Sequence, residues 1–413
     1  QLKLESVGCN IYLGLIIGST FYGISSCFKA GINIFMSKVK ILFLVNVDWF
    51  FISHRLPIAV AAAKKGFEVH VATSVTDKAA LIKNAGFILH NIPISRGAIG
   101  PVTTFKTFLA IMKIFYKVKP NITHLVTIKP ILLGGIAARI TNIPGVIAAI
   151  SGLGYIFIDQ GFIASIRRFF IKALYKISLG HKNLKIICQN LNDLDEIQQA
   201  TKLSNDSFSI IGGSGVALNQ FTHVPDRNKI PKIIMASRLL KDKGVIEFAE
   251  AAEILKEKNI QAEFILVGDP DPDNPSSIHS YQLEEWEKKG ILECWGYIDN
   301  MQDVLSQASI VVLPSYREGF PKVLMEAAAC GRAVITTDVA GCRDAIYNGV
   351  TGLLVPAKDA NSLADAILDL IARPEKFKQM GLEGRKMAEE RFDESIVIEK
   401  HLALYDLILA NAK

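Results

Sequence analysis

Two series of short, unbroken apolar runs, alternating with helical segments, constrain this chain more than any other feature. The first series is KILFLVNV, EVHVAT, FILHNIP, THLVTI, VIAAIS and KIICQN, with helices over HRLPIAVAAAKKG, near 103–117 and near 133–140. A strand with one wet face alternates apolar and polar residues. One that is apolar throughout is covered on both faces, and between helices that means a parallel sheet. The polar, proline-containing stretch LNQFTHVPDRNKIPK (218–232) ends the series, as a linker does. The pattern then restarts with KIIMAS, EFILVG, LECWGY, IVVLPS and AVITTD, its helices beginning near Gly244, Ser280, Met301 and Pro321. The expected fold class is α/β, with two Rossmann-like, doubly wound parallel-sheet domains facing a cleft. A chain of 413 residues has the length for two cores, since one rarely grows past ~250–300. The expected divisions are a leader over 1–35, a first domain over 36–222, a second over 223–394, and a helix over 395–413 that packs back on the first.

Charge is divided along the same line. Residues 36–222 carry 21 Lys and Arg against 8 Asp and Glu, whereas 223–413 carry 23 against 31. A basic half implies an anionic partner: phospholipid, nucleic acid or a phosphorylated substrate. No recognition motif supports nucleic acid, and none is expected as a partner. The six cysteines lack CxxC or Cys/His spacing and mostly sit in apolar runs, which points to buried thiols in a reducing cytoplasm. Residues 10–28 form an uncharged stretch of 19 residues, near the ~20 that span a bilayer, just before Met36. It reads either as a translated upstream leader or as a membrane anchor. Two further segments are amphipathic and basic. The first places Lys106, Lys113 and Lys117 on one stripe, with Phe105, Phe108, Ile111, Met112 and Phe115 around the rest. The second carries Arg167, Arg168, Lys172 and Lys176 beside Phe169, Phe170, Leu174 and Tyr175. Both fit an anionic bilayer interface, and both also fit packed helices with a solvated basic face.

Ligands of open α/β sheets bind beyond the carboxyl ends of the strands. After KIIMAS come Arg238 and then Lys243-Gly244 at a helix start, either a diphosphate site or two solvated loop cations. After IVVLPS comes REGFPKVLMEAAACG, with Glu318 in the loop, Gly319 allowing close backbone approach and Pro321 suiting a first helical turn. Glu326 then falls in an apolar second turn. A buried carboxylate needs a partner or a proton, so either a ribose diol or a structural ion pair is expected there. GDPDPDNP (268–275) contains Asp-x-Asp pairs, but its prolines make a rigid loop, so no metal is expected.

SRLLKDKG, FILVGD, LECWGY, REGFPKVLMEAAACG and TGLLVP, in this order, resemble the second domain of glycosyltransferase family 4, and the likeness runs from about residue 38 to the C-terminus. The resemblance implies the GT-B fold and a retaining, metal-independent transfer from a nucleotide sugar, taken as a UDP-sugar. It also implies that the leaving phosphate helps deprotonate the acceptor, so no protein nucleophile is required. Carried over, Arg238 and Lys243 would hold the diphosphate, Glu318 the donor sugar and Glu326 the ribose. Tyr297 and Ile298 would lie along the base, with the N–H groups near Gly319 to Lys322, those of Gly319, Phe320 and Lys322 around Pro321, and the approach of Gly215 completing the donor side. FFISHRLPIAVAAAKKGFEVHVAT, HLVTIKP, ISGLGYIF and GGSGVALNQF look most like a bacterial branch that adds an N-acetylhexosamine or related sugar to a polyprenyl-diphosphate-linked saccharide. There His54 and Arg55 would face the cleft, and Lys129 and Arg139 would serve the acceptor phosphates. The chain departs from the family where NVDWFF replaces a glycine-rich loop, Val126 a histidine and Ala217 an aspartate. The implied protein is a transferase peripheral to the inner face of the cytoplasmic membrane. Its rivals are an acceptor-independent UDP-sugar hydrolase or epimerase, and a silent nucleotide-sugar-binding module.

Overall fold

The computed structural model describes residues 38–94, 100–153, 162–272 and 274–412, apart from the side chains of 162–169. The leader and the side chains of Arg167 and Arg168 lie outside the described residues. Val39–Lys413 is one compact unit holding two sheets. The first comprises β1 (Lys40–Val47), β2 (Glu68–Ser74), β3 (Ile88–Asn91), β4 (Ile122–Val126), β5 (Gly145–Ile150), β6 (Leu184–Cys188) and β7 (Phe208–Ile210), in the order β3-β2-β1-β4-β5-β6-β7. The second comprises β8 (Lys232–Ala236), β9 (Glu263–Val267), β10 (Glu293–Gly296), β11 (Ile310–Leu313), β12 (Ala333–Thr337) and β13 (Gly352–Val355), in the order β10-β9-β8-β11-β12-β13. Every pairing is parallel.

The unbroken apolar runs serve two cores at once. In β1, Ile41, Phe43 and Val45 face one layer of helices while Leu42 and Leu44 face the other. In β8, Ile233 and Met235 divide from Ile234 and Ala236 in the same way. Strand order reverses between β1 and β4 and between β8 and β11, and at such switch points the carboxyl ends open a crevice.

The short edge strands β7 and β13 are additions to the sequence reading. NVDWFF is no loop: a helix, Asp48–His54, starts directly off β1. Asp48 is fully buried, and its carboxylate accepts from Thr76 N (2.7 Å), Thr76 Oγ1 (2.6 Å) and Trp49 N (2.8 Å), tying this helix to the loop after β2.

The last helix, Glu394–Asn411, lies against the first sheet. Val397, Tyr405 and Ile408 enter its core, and Tyr405 Oη is 2.8 Å from His124 Nδ1. His401 stacks on His124 with centroids 5.7 Å apart and donates from Nδ1 to the Val397 carbonyl at 2.8 Å. Where this segment leaves the second sheet it meets the outgoing chain. Val216 N donates to Phe392 O (2.7 Å) and Glu394 N to Val216 O (3.1 Å).

Burial, with Arg55 nearby, drives the His401 pKa from 6.5 to about 3, and burial, His401 and Arg55 hold that of His124 well below 6.5. Both are neutral when folded, so below pH 6.5 the unfolded chain binds protons that the folded chain refuses. Their contribution to stability is complete above pH 6.5 and is lost as pH falls toward 3. Urea unfolding between pH 7 and 4 should show stability falling with acid. The His401→Leu variant should flatten that slope by about 1.4 kcal/mol per pH unit.

Candidate active site

The carboxyl ends of both sheets border one groove. Its inner part encloses about 480 Å³ and is lined by residues that include His54, Thr127, Ser151, Gly152, Arg238, Lys243, Arg317 and Glu318–Lys322. Its outer part, about 1240 Å³, runs on past Lys78, Asp269, Asp271, Tyr297, Ile298 and Glu326, and the two parts share Trp49, Arg238, Lys322 and Val323.

Local chain geometry places each side chain. After β8 a short turn, Lys241–Lys243, ends at Gly244 in the left-handed region (φ 79°), where a Cβ would lie 2.2 Å from Pro314 O. Only glycine lets this turn nest beneath the end of β11. The two loops are then stitched together: Tyr316 N donates to Asp242 O (2.9 Å) and Tyr316 Oη to buried Glu247 (2.5 Å). The result is a Lys243–Glu318 ion pair, with Ser315 Oγ also donating to Glu318 at 2.7 Å. Arg238 pairs with Asp271 at 3.0 Å, which ties the Asp-Pro loop to the turn after β8. Pro321 is the N-cap of the helix Lys322–Ala329, one position before its first turn, and Lys322 reaches Glu326 at 3.1 Å. Glu326 is 5% exposed; burial raises its pKa and the Lys322 ammonium opposes that. It thus has the ion-pair partner foreseen as one of two alternatives, and it still borders the groove.

From the first sheet, His54 stacks flat on Phe50 with centroids 4.1 Å apart, and its Nδ1 is 2.5 Å from Ser53 Oγ. Burial, Arg55 and Lys322 lower its pKa to about 3, so it is a neutral hydrogen-bonding group at working pH. Thr127 is the N-cap of the helix Ile128–Ile140 at φ 73°, ψ 169°, a region kept almost entirely for glycine, and its hydroxyl is buried without a partner.

Eight of the residues expected on the donor and catalytic side, Arg238, Lys243, Glu318–Lys322 and Glu326, therefore converge with His54, and Tyr297 and Ile298 border the outer part. Tyr297 is exposed and donates to Asp299 at 2.6 Å. Four expected residues are placed elsewhere. Gly215 (φ 74°) faces the last helix, where a Cβ would lie 2.6 Å from Glu394 Cα, so its glycine serves the chain crossing and not the donor. Arg55 is 2% exposed behind the groove, donating to His54 O (2.9 Å) and Ser151 Oγ (3.4 Å), so it cannot touch an acceptor. Lys129 is half-buried on the helix after Thr127 and does not line the groove. Arg139 donates to Ile177 O at 2.7 Å in the last turn of that helix, roughly 15 Å from its start by helical rise, because the helix runs antiparallel to the strands.

Sequence reasoning passed over Trp49, Phe50, Thr127, Ser151, Gly152, Gln189 and Arg317 as lining residues. Asn190, three positions before Asp193, offered a legible helix-start signature. Nothing in HLVTIKP announces the backbone of Thr127.

A "Glycosyl transferases group 1" family model matches residues 230–373 and a "Glycosyl transferase 4-like" model residues 40–190. The N,N'-diacetylbacillosaminyl-diphospho-undecaprenol alpha-1,3-N-acetylgalactosaminyltransferase of Campylobacter jejuni is 30% identical, over 90% of this chain and 100% of its own length. The chain belongs to this glycosyltransferase family. The UDP-Gal:alpha-D-GlcNAc-diphosphoundecaprenol alpha-1,3-galactosyltransferase of Escherichia coli is 26% identical over 65% of this chain and 70% of its own. In fold, the sucrose-phosphate synthase of Thermosynechococcus elongatus superposes with a TM-score of 0.75 at 22% identity, over 90% of this chain and 100% of its own. The architecture is GT-B, as the sequence reading expected, and the protein is a glycosyltransferase.

A β-branched residue at φ 73°, ψ 169° stores strain that glycine would release. Thr127→Gly should raise the unfolding free energy by roughly 1 kcal/mol in urea titrations while lowering turnover severalfold. A gain in stability with full activity would show the strain to be idle.

Proposed function

We infer that the enzyme transfers a sugar, with retention, from a UDP-sugar to a saccharide carried on undecaprenyl diphosphate. The observation that carries this reading is the convergence of Arg238, Lys243, Glu318, Lys322 and Glu326 on one groove at the switch points of both sheets. The Campylobacter and Escherichia relatives act, by their names, on diphosphoundecaprenol-linked sugars, and the second uses UDP-galactose. Cations beside a helix start suit a diphosphate. Glu318, oriented by Lys243 and Ser315, suits the hydroxyls of a hexose or N-acetylhexosamine.

In the proposed step the bond between the sugar's anomeric carbon and the β-phosphate oxygen breaks, and the acceptor oxygen bonds that carbon on the same face. The acceptor proton passes to the departing phosphate oxygen. Neutral His54 supports this route, because a group with a pKa near 3 is a poor general base. Arg238 and Lys243 stabilise the charge that grows on the diphosphate. Metal-free transfer is part of the proposal: these cations do the neutralising.

Purified protein should release UDP from one member of a UDP-sugar panel only when a polyprenyl-diphosphate-linked saccharide is present. Glu318→Ala and Lys243→Ala should each lower kcat by roughly a hundredfold or more. Acceptor-independent release would favour a hydrolase or epimerase, and UDP binding without turnover a silent module.

A bilayer surface fits the acceptor side of this reading. On the helix Pro101–Val118, Val102, Phe105, Leu109 and Tyr116 form one exposed apolar stripe, each at least half exposed, beside Lys106, Lys113 and Lys117. Phe170, Leu174 and Ile177 stand out with Lys176 on the helix Phe162–Ser178, while Tyr175 turns inward to the core. Among the described residues no helix is long and apolar enough to cross a membrane. Vesicles rich in anionic lipid should co-float with the enzyme, and Phe105→Ser with Leu109→Ser should weaken that binding at least tenfold.

A further inference from the structure

Glu318 is held from two sides. Its carboxylate is fixed within the second sheet's loops by Lys243 and Ser315, but both of its chain neighbours are gripped by the first sheet's side. Arg317, the residue before it, donates to Asp193 Oδ1 at 3.0 Å and to Glu196 at 3.4 Å. Gly319, the residue after it, accepts at its carbonyl from Asn190 Nδ2 at 2.8 Å. Asn190 is the N-cap of the helix Leu191–Thr201: its Oδ1 accepts from Asp193 N at 2.8 Å, and its Nδ2 also reaches Asp193 Oδ2 at 3.1 Å. Asp193 is fully buried, and Asn190 is nearly so. One helix start thus grips the chain on either side of Glu318, across more than 120 residues of sequence.

We propose that Asp193, acting through Arg317 and Asn190, is a positioning residue that sets Glu318 against the first sheet's half of the groove and so couples acceptor side to donor side. The inference rests on reading Glu318 as the donor-sugar residue. A buried carboxylate is costly unless paired, and burial does raise the Asp193 pKa while the Arg317 guanidinium pulls it back. A plain interface salt bridge needs only two opposed charges. Here one of the partners adjoins Glu318, and a second bond from the same helix cap holds Glu318's other neighbour. Arg238, Lys243 and Lys322 all lie on the second sheet's side of the groove, so disturbing this grip displaces Glu318 without removing them.

The test uses the full chain with Asp193→Asn, which keeps the shape and removes the charge, Arg317→Gln, and the double variant. Three quantities are read: UDP affinity by calorimetry, kcat and KM for acceptor-dependent UDP release, and amide hydrogen exchange over 315–322. The expected result for Asp193→Asn is UDP affinity and donor KM within about threefold of wild type and kcat lower by roughly tenfold to a hundredfold. Exchange over 315–322 should quicken about tenfold, and the double variant should be no worse than the single ones. Unchanged kcat in a folded Asp193→Asn protein overturns the proposal. Equal losses in kcat and UDP affinity, with exchange quickened throughout the chain, overturn it too, because a merely structural pair would behave that way. If the wild-type enzyme turns over no donor with any acceptor, the transferase reading fails, while exchange over 315–322 still decides whether Asp193 holds the loop.

Discussion

Two backbones meet in this enzyme where neither can carry a side chain, and the groove depends on that contact. A Cβ on Gly152 (φ 94°) would lie 3.0 Å from Gly319 N, and one on Gly319 would lie 2.7 Å from Gly152 N and 2.5 Å from Gln189 Oε1. On its other flank Gly319 meets Gly341, whose Cβ would fall 2.4 Å from the Gly319 carbonyl. The backbone of the loop bearing Glu318 is therefore slotted between Gly152 of the first half and Gly341 of its own. The sequence suggests that Gly319 makes room for a ligand. The structure gives a stronger reason, because it makes room for the other domain.

The cations that border the groove on the second sheet's side are oriented by carboxylates: Arg238 by Asp271, Lys243 by Glu318 and Lys322 by Glu326. Such pairs resist simple deletion, since removing one partner leaves the other half-buried and uncompensated. Arg55 is held differently. Its guanidinium is buried behind His54 and Ser151 and bonds to neutral oxygens, so its field reaches the groove through a medium that screens it less than water does. The same field helps keep His54, His124 and His401 neutral.

The succession of strands along the chain was legible because parallel strands covered on both faces are apolar without interruption, as in ILFLV of β1. The second sheet's site was legible for a related reason: βα turns are short, so polar residues just after KIIMAS or IVVLPS have only the crevice to enter. The edge strands were less so, β7 being three residues long and β13 opening on a glycine. The grip of Asp193 on Arg317 spans 124 residues and follows no local period, and Thr127 adopts its backbone because of what packs around it. Such features belong to tertiary structure alone.

The expectation for Arg139 failed for a reason that also sorts the basic excess of the first half. Helices between parallel strands run antiparallel to them, so a last-turn cation lies at the sheet edge away from the groove. Lys117, Arg139 and Lys176 all occupy last turns, where the helix dipole favours positive charge whatever the partner. Those cations are explained without a membrane. The dipole does not explain Val102, Phe105, Leu109 and Tyr116, which give up burial along one helical stripe. It is the exposed apolar residues, more than the lysines beside them, that argue for an apolar surface there.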